Sequence, residues 1–417
     1  MKKRMIAVFT GNRAEYGLQY PLLKAIEKHP NLDYKLLVSG AHLDSNFGNT
    51  LEEIENDGFH IDYEIKIEIG KDSKTSTSRA IGSGIMSISE ALKEISPDIM
   101  VVYADRFEGF SAVIASTQMN IPTAHIEGGD LTEGGALDDS VRHAMSKLSH
   151  IHFTTNYQAT NRLISMGEEE WRVHTVGFPA IDSILKGQYA TPSEISEMLS
   201  IDLNLPIVLF TQHSITTEFE ESIEQLMPSI DAMRLLAKQG VQVILTYPNN
   251  DAGGQEIISK LNEIKLESIK NIQVHKSLGR YLYHGLLALT KRPLSKVACV
   301  GNSSSGIKET PIFGCPTVNI GSRQRGRLRG DNVIDVRYNQ TEIFDAVNKC
   351  LYSEEFRLKS LSTDNPYYLG GAGKKMVEVL AKVRLDKILI RKKMTLKGNI
   401  KKFFIKSNLS RIKIVRI

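Results

Sequence analysis

The stretch that decides the fold is residues 121–147, which read IPTAHIEGGDLTEGGALDDSVRHAMSK. It opens as a short apolar strand ending near His125 and Glu127, crosses a glycine-rich loop, and enters a helix at Asp138 and Asp139, a strong helix-capping pair. A strand, a loop and a helix in this order are typical of an α/β sheet, in which ligands bind outside the carboxyl ends of the strands. Acids crowded at a strand end indicate a catalytic site, although capping acids beside a turn would give the same pattern.

Strands and helices alternate along the rest of the chain, which predicts parallel sheets and an α/β fold. The chain has 417 residues, enough for two domains that each bury a core. We expect these domains at 1–178 and 179–365, followed by a helix at 366–386 that packs back and a basic tail at 387–417. The predicted strands are residues 5–10, 34–40, 98–103, 151–155 and 173–177 in the first half, and 206–213, 241–249, 272–275, 297–301 and 316–321 in the second.

The cysteines and the N-terminus indicate the compartment. Cys299, Cys315 and Cys350 are odd in number and lack metal-ligand spacing, which favours a reducing cytosol over a disulfide framework or a zinc site. The apolar run at 5–9 is too short for the core of a signal peptide, and no segment reaches the roughly twenty apolar residues of a membrane span. We therefore expect a cytoplasmic protein.

The charge is distributed unevenly. Of the 52 Lys and Arg residues, eleven lie in 387–417, which contains no acid, so 1–386 carries 41 basic against 48 acidic residues and a net charge of −7. An acidic body argues against a nucleic-acid partner. In the tail, apolar residues interleave with the positive charges, which suits either a helix on an anionic membrane surface or a disordered or partner-bound extension.

Two further strand ends in the first half carry charged residues. Arg13 follows the first strand, at the place where α/β proteins cradle phosphate. Asp105 and Arg106 follow the strand at 98–103, and neighbouring parallel strands would bring them beside His125. A structural ion pair between Asp105 and Arg106 remains an alternative.

The second half contains a predicted anion site at residues 297–310, VACVGNSSSGIKET. A buried strand ends at Gly301, three serines stand at the mouth of a helix, and Glu309 lies one or two turns inside. Free helix N–H groups and serine hydroxyls suit a diphosphate, and the carboxylate suits the hydroxyls of a ribose. The arginines at 321–329 also suit an anion, although a solvated basic loop would look the same.

Two common nucleotide motifs do not fit. A phosphate loop would need lysine at position 307, where the chain has Ile307, and Lys308 comes one residue late. The glycine pattern of dinucleotide-binding proteins is missing after the first strand, so we expect no nicotinamide or flavin cofactor.

Taken together, these segments resemble the UDP-N-acetylglucosamine 2-epimerases, specifically the hydrolysing branch that serves sialic- and legionaminic-acid-type biosynthesis. The resemblance runs from residue 11 to about 335. The matching segments are GNRAEY at 11–16, DRF at 105–107, HIEGG at 125–129, DDSVRH at 138–143, QH at 212–213, PN at 248–249, GNSSSG at 301–306 with Glu309, and GSRQ at 321–324.

The resemblance implies a GT-B-like fold, with two Rossmann-type domains facing a cleft, and a homodimer or homotetramer without a metal or cofactor. It implies that the nucleotide lies on the second domain and the sugar against the first. The residues implied for catalysis are Asp105, Glu127 and Asp138 with His125 nearby; those implied for binding the UDP-sugar are Arg13, Gly17, Arg106, His213, Asn249, Ser303, Ser304, Glu309 and Arg323.

The implied reaction converts UDP-N-acetylglucosamine, or UDP-N,N′-diacetylbacillosamine, to the free 2-epimeric manno sugar and UDP through a 2-acetamidoglycal. A non-hydrolysing epimerase, a GT-B glycosyltransferase or an inactive nucleotide-sugar sensor would share the nucleotide site. Two departures from the family pattern bear on the substrate. The loop after Glu127 is about two residues longer, which leaves Asp138 and Asp139 as alternatives, and the segment 288–295 is inserted. Both suit a sugar altered at positions 4 and 6.

Overall fold

The computed structural model describes residues 3–43, 50–67, 75–132, 136–249 and 252–395, and it contains two parallel sheets. The first has seven strands in the order β3-β2-β1-β4-β5-β6-β7. They are β1 (Arg4–Thr10), β2 (Leu32–Ser39), β3 (Tyr63–Ile65), β4 (Ile99–Tyr103), β5 (Thr123–Ile126), β6 (Ile151–Thr154) and β7 (Val173–Thr175). The helices between and after them are α1 (Arg13–Glu27), α2 (Thr50–Asn56), α3 (Ser76–Ile95), α4 (Phe107–Gln118), α5 (Ala136–Leu148), α6 (Tyr157–Ser165) and α7 (Ala180–Leu185).

The second sheet repeats the same topology with six strands, in the order β10-β9-β8-β11-β12-β13. They are β8 (Ile207–Thr211), β9 (Gln242–Thr246), β10 (Ile272–His275), β11 (Val297–Gly301), β12 (Thr317–Ile320) and β13 (Val333–Val336). The accompanying helices are α8 (Pro192–Leu199), α9 (Ser222–Lys238), α10 (Gly254–Leu266), α11 (Gly279–Ala288), α12 (Ser305–Lys308), α13 (Thr310–Phe313), α14 (Gln340–Tyr352) and α15 (Glu354–Leu361). The predicted α/β class with two Rossmann-type domains is confirmed.

The strands form because both of their faces are covered by helices. In β1, Ile6 and Val8 join one apolar cluster, and Ala7 and Phe9 join another on the opposite face of the sheet. A strand buried on both sides reads as a continuous apolar run, which is why β1 stands out in the sequence. In each sheet the chain order reverses beside the first strand, between β1 and β4 and between β8 and β11. Ligand crevices open at such points, outside the carboxyl ends of the strands.

The C-terminal helix α16 (Ala372–Lys382) returns to the first domain. Its first N–H groups, at Ala372 and Gly373, donate to the carboxylate of Asp182 at 3.1 and 2.8 Å. Met376 and Leu380 are fully buried in the cluster that contains Ile6. The second domain is therefore inserted between two segments of the chain that both pack into the core of the first domain.

The beginning of the basic tail is also part of the first domain, contrary to the boundary predicted at residue 387. Leu389, in the short helix α17 (Lys387–Ile390), is 1% exposed, and its carbonyl accepts from Arg172 at 2.7 Å. The ammonium of Lys392 donates to the carbonyl of Lys147 at 2.7 Å and pairs with Glu168 at 2.7 Å. Apolar burial and these buried polar partners hold 387–395 in place, whereas 396–417 lies outside the described residues. Within the ranges that the structure describes, no helix combines the length and the apolar character that crossing a membrane requires.

The inserted segment 288–295 lies away from the cleft. It contains a 3-10 turn at Leu289–Lys291 and leads into the amino end of β11. Because parallel strands place their carboxyl ends at one edge, this segment is at the opposite edge of the second sheet from the serines. The expectation that it suits an altered sugar is therefore wrong on geometric grounds.

Candidate active site

A cavity of about 190 Å³ lies where the carboxyl ends of the two sheets face each other. The first domain contributes Leu18 and Glu53, and the second contributes Tyr247, Leu278 and Arg280. The structure also brings seven of the predicted nucleotide-site residues to its lining, namely Gly17, His213, Asn249, Ser303, Ser304, Glu309 and Arg323.

Asn302 organises the polar wall of this cavity. Its side chain accepts from the backbone N–H of His213 at 2.7 Å and donates to the carbonyl of the same residue at 2.8 Å. Its own carbonyl accepts from Arg323 at 3.2 Å and from Gln324 at 2.8 Å. Asn302 is 1% exposed, so it fixes His213 and Arg323 relative to each other without reaching solvent.

One hydrogen bond fixes the tautomer of a neutral His213 imidazole. The backbone N–H of Asn249 donates to its Nδ1 at 3.0 Å, so the neutral ring carries its hydrogen on Nε2. This arrangement gives the cavity a second polar hydrogen beside the Arg323 guanidinium, in a wall where developing negative charge would be stabilised.

The serine segment differs from the predicted single helix. Helix α12 has four residues and ends at Lys308, and α13 begins at Thr310 with Pro311 in its first turn. Proline cannot continue a helix from the preceding turn, because it lacks an N–H. Glu309 therefore stands at a break between two short helices, where its Oε2 accepts from His284 at 2.9 Å and from Ser305 at 3.0 Å.

Two strand ends of the first sheet turn sharply to present carboxylates. Ala104 after β4 has φ of +53° and Glu127 after β5 has φ of +68°, a left-handed conformation that costs energy for any residue with a Cβ. Asp105 follows the first of these turns, and Glu127 occupies the second. β4 and β5 are paired neighbours, so the two carboxylates emerge at one edge of the sheet, as predicted from the sequence.

Arg142 of α5 ties this edge together. Its guanidinium forms an ion pair with Asp105, and it also donates to Asp139 at 2.7 Å and to Thr132 at 3.0 Å. The side chain is 1% exposed, so its contacts are made without competing water. The three partners come from three different segments, which Arg142 therefore locks in register.

The structure separates the roles of the two acids at the start of α5. Asp139 accepts from the backbone N–H of Thr132 at 2.7 Å as well as from Arg142, so it closes the loop onto the helix. Asp138, in the first turn of the same helix, is half-buried. Residues 133–135 of the loop that precedes α5 lie outside the described residues.

Glu127 is paired across the cleft. The ammonium of Lys308, at the end of α12, forms an ion pair with Glu127 and lies 2.5 Å from Asp130. The Lys308 side chain is 1% exposed, and those of Glu127 and Asp130 are 6% and 5% exposed. In the sequence, Lys308 is notable only for lying one residue beyond the lysine position of a phosphate loop. Its partners, Glu127 and Asp130, are too distant along the chain for local spacing to reveal them.

His125 was expected among the catalytic residues, but the structure places it behind them. It is fully buried, its Nε2 donates to the carbonyl of Ala104 at 2.6 Å, and its Nδ1 lies 3.0 Å from the hydroxyl of Ser146. Burial lowers the pKa of His125 to about 3, which keeps the ring neutral. His125 thus supports the strained turn that precedes Asp105.

Two predicted binding residues, Arg13 and Arg106, are not among the seven that line the cavity. The side chain of Arg13 is not among the described ones, although its backbone begins α1. Arg106 caps α4 and lies 3.6 Å from the buried carboxylate of Glu108, so the structure gives it a partner outside the cavity lining. Gly17 forms part of the cavity wall and lies close to Arg280. A Cβ at position 17 would be 3.7 Å from Cδ of Arg280.

The arrangement matches known proteins along nearly the whole chain. A sequence model described as UDP-N-acetylglucosamine 2-epimerase matches residues 24–381. A hydrolysing GDP/UDP-N,N′-diacetylbacillosamine 2-epimerase of Campylobacter jejuni is 33% identical over 393 residues, which is 93% of this chain and 98% of that protein. A hydrolysing UDP-N,N′-diacetylbacillosamine 2-epimerase of Legionella pneumophila is 33% identical over 363 residues, 87% of this chain and 92% of its own length.

Two further similarities concern proteins of Neisseria meningitidis. A UDP-N-acetylglucosamine 2-epimerase of serogroup B is 34% identical over 350 residues, 83% of this chain and 87% of that protein. The crystal structure of a UDP-GlcNAc 2-epimerase bound to UDP-GlcNAc superimposes with a TM-score of 0.76 at 21% identity, over 91% of this chain and all of that one, which supports the GT-B-like fold. The chain therefore belongs to the UDP-N-acetylglucosamine 2-epimerase family, in its hydrolysing branch.

Proposed function

We propose that this protein binds a UDP-activated 2-acetamido sugar, releases UDP, and delivers the free sugar inverted at C2. The observation that carries the proposal is the division of charge across one cleft. Asp105 and Glu127 emerge from the first domain, whereas Arg323 and Lys308 belong to the second. A leaving diphosphate needs cations and polar hydrogens, and a C2 hydrogen needs a carboxylate.

Departure of UDP is assigned to the second domain. The serine hydroxyls at 303 and 304, the Nε2–H of His213 and the Arg323 guanidinium would stabilise the negative charge that develops as the C1–O bond breaks. Glu309, held by His284 and Ser305, would accept the ribose hydroxyls. Positive charge at C1 then makes the hydrogen on C2 acidic enough for removal.

Transfer of the hydrogen is assigned to the first domain. One carboxylate among Asp105, Glu127 and Asp138 would take the C2 proton and give a 2-acetamidoglycal. A second would return a proton to the other face of C2 while water adds at C1. Because Asp139 already holds the loop through Thr132 and Arg142, we assign the sugar-facing role on α5 to Asp138.

The substrate is proposed from the relatives and the loop. Two relatives at 33% identity are named for N,N′-diacetylbacillosamine derivatives, and one at 34% is named for UDP-N-acetylglucosamine. The loop that leads from Glu127 into α5 is expected from the sequence to be about two residues longer than in the family. We propose UDP-N,N′-diacetylbacillosamine as the better substrate and UDP-N-acetylglucosamine as the weaker one.

One experiment tests the reaction. The full chain is incubated in heavy water with each of the two UDP-sugars, without any acceptor, and proton NMR follows the products. We expect free UDP, a free manno sugar and deuterium at C2. A 2-epimer that keeps its UDP would indicate a non-hydrolysing epimerase, and an unchanged UDP-sugar in the absence of an acceptor would contradict the proposed function.

A further inference from the structure

A group of four charged side chains crosses the cleft at its deep end. Glu127 and Asp130 come from the loop after β5 in the first domain, and Lys308 and Arg327 come from the second domain. We call this group the interdomain charge cluster. All of its acids belong to one domain and all of its cations to the other, so the cluster exists when the two domains are in contact.

Lys308 is the centre of the interdomain charge cluster. It pairs with Glu127, lies 2.5 Å from Asp130, and stands over the rings of Phe178 and Tyr367, 5.1 and 5.4 Å from their centres. A lysine in such apolar surroundings is costly unless its charge is compensated. Burial and the neighbouring Arg327 lower the pKa of Lys308, and the carboxylates of Glu127 and Asp130 lie at its nitrogen, where they offset this effect. The two carboxylates would repel each other without the ammonium between them.

Arg327 holds the same loop from a second point. Its guanidinium donates to the carbonyl of Leu131 at 2.7 Å and to the hydroxyl of Thr132 at 3.2 Å, and it lies 3.8 Å from Asp130. Burial raises the pKa of Asp130 above its usual value, and Arg327 opposes that rise. Among the residues that the structure describes, the other charged or titratable groups that interact with Asp130 are Tyr103 on β4, Asp139 and Arg142 on α5, Arg162 on α6, and Tyr367.

We propose that Lys308 is a positioning residue for hydrogen transfer at C2, which holds Glu127 in place and ionised when the cleft is closed. The inference rests on the proposed function, in which Glu127 is one of the acids that act on C2. Lys308 lies four residues after Ser304 and directly before Glu309, so it moves with the segment that contacts the nucleotide. When the second domain closes onto the first, Lys308 would reach Glu127 and keep it ionised. In an open cleft, without Lys308 beside them, Glu127 and Asp130 would share a proton.

The test compares K308M, K308R and a control, K35M, which removes an ion-paired lysine on β2. For K308M we expect kcat to fall ~100-fold, the size of a general-base contribution, with UDP affinity changed less than threefold. Losing a cation next to a carboxylate raises its pKa, so the acidic limb of the kcat/KM profile should move to higher pH by about one unit or more. K308R should restore both quantities to within a few-fold of wild type, and K35M should match wild type.

A second readout does not depend on activity. Small-angle scattering with saturating UDP should give a larger radius of gyration for K308M than for K308R. If K308M keeps its kcat and its acidic limb, or loses activity through KM alone, the positioning role is refuted. If the wild-type chain releases no UDP from either sugar, the proposed function fails, and equal scattering of the two variants would separately refute the closure that the cluster is inferred to stabilise.

Discussion

Asp105, at the carboxyl end of β4, is paired with Arg142 in the middle of α5, so one buried guanidinium sets the distance between a strand end and the helix that carries Asp138 in its first turn. The same guanidinium holds Asp139 and Thr132, which makes it the common support of the acids on the sugar side. The hydrogen transfer proposed above would require acids at fixed positions, and the contacts of Arg142 would provide that fixation.

The first prediction concerns Arg142. R142M would leave Asp105 and Asp139 without their counter-ion in a poorly hydrated site, so we expect the free energy of unfolding to fall by about 3 kcal/mol. The acids would also shift, and a displacement near 1 Å can cost ~100-fold in kcat/KM. Urea unfolding and a UDP-release assay measure the two effects. The control is R234M, which removes a surface pair with Glu267 and should cost less than about 1 kcal/mol.

The second prediction concerns Glu127. E127Q keeps the size of the side chain but removes the charge, so we expect UDP release to fall by at least ~100-fold while the Kd for UDP, measured by calorimetry, stays within threefold. The groups proposed to hold the diphosphate and the ribose belong to the second domain, so the change on the first domain should leave them in place. D33N, on the exposed part of β2, is the matched control. Near-normal turnover by E127Q would remove Glu127 from the mechanism.

Much of the fold was predictable because its central strands are apolar runs buried on both faces. β3 (Tyr63–Ile65) and β13 (Val333–Val336) were not predicted, since they are short edge strands that retain half-exposed side chains. The serine segment was predicted as one helix, and Pro311 divides it. In each case the deviation has a local physical reason that weakens the sequence signal.

The site was predictable where residues follow a strand end and not where a side chain spans the two domains. His213, Glu309 and Arg323 reach the cavity because the carboxyl ends of parallel strands share one edge. Lys308 contacts Glu127 because of how the two domains are placed relative to each other. Such a contact has no signature in the periodicity or the spacing of the sequence. His125 is at the predicted strand end, but its ring is buried between the carbonyl of Ala104 and the hydroxyl of Ser146 on α5.

The third prediction concerns stability in acid. His150 and His152 are buried, and burial lowers the pKa of each from 6.5 to about 4. Between these pH values the two rings bind protons in the unfolded chain but not in the folded one, so their contribution to the free energy of unfolding should decrease as the pH falls from 6.5 to 4, by about 3 kcal/mol for each histidine. Protonation would also break a specific contact, because Nδ1 of His150 accepts the N–H of Thr123 at 3.1 Å.

Denaturant unfolding at several pH values between 8 and 4.5 measures this dependence. H152Q should flatten the slope, because it removes one of the two buried rings, and the control H60Q replaces an exposed ring. Equal pH slopes for H152Q and the wild-type chain would contradict the prediction.

The last prediction concerns the C-terminal segment. Removing 396–417 should leave stability and activity unchanged, whereas removing 387–417 should not. The longer deletion removes the buried Leu389 side chain and exposes the surface that it covers, which should cost about 2 kcal/mol. It also removes the carbonyls of Leu389 and Ile388, to which the buried Arg172 donates, and this should cost about another 2 kcal/mol. It also removes Lys392, whose ammonium donates to the last carbonyls of α5, the helix that carries Asp138. Activity should therefore decline together with stability.

Point variants separate packing from charge in this segment. L389A and I388A change neighbouring residues that are 1% and 64% exposed, so L389A should cost at least 2 kcal/mol more in unfolding free energy than I388A. K392M removes the contact with α5 but keeps the apolar anchor, so it should lower kcat more than L389A does relative to its effect on stability. Full activity of the chain that ends at residue 386 would show that α5 holds its acids without this segment. The first domain would then end before Lys387, as predicted from the sequence.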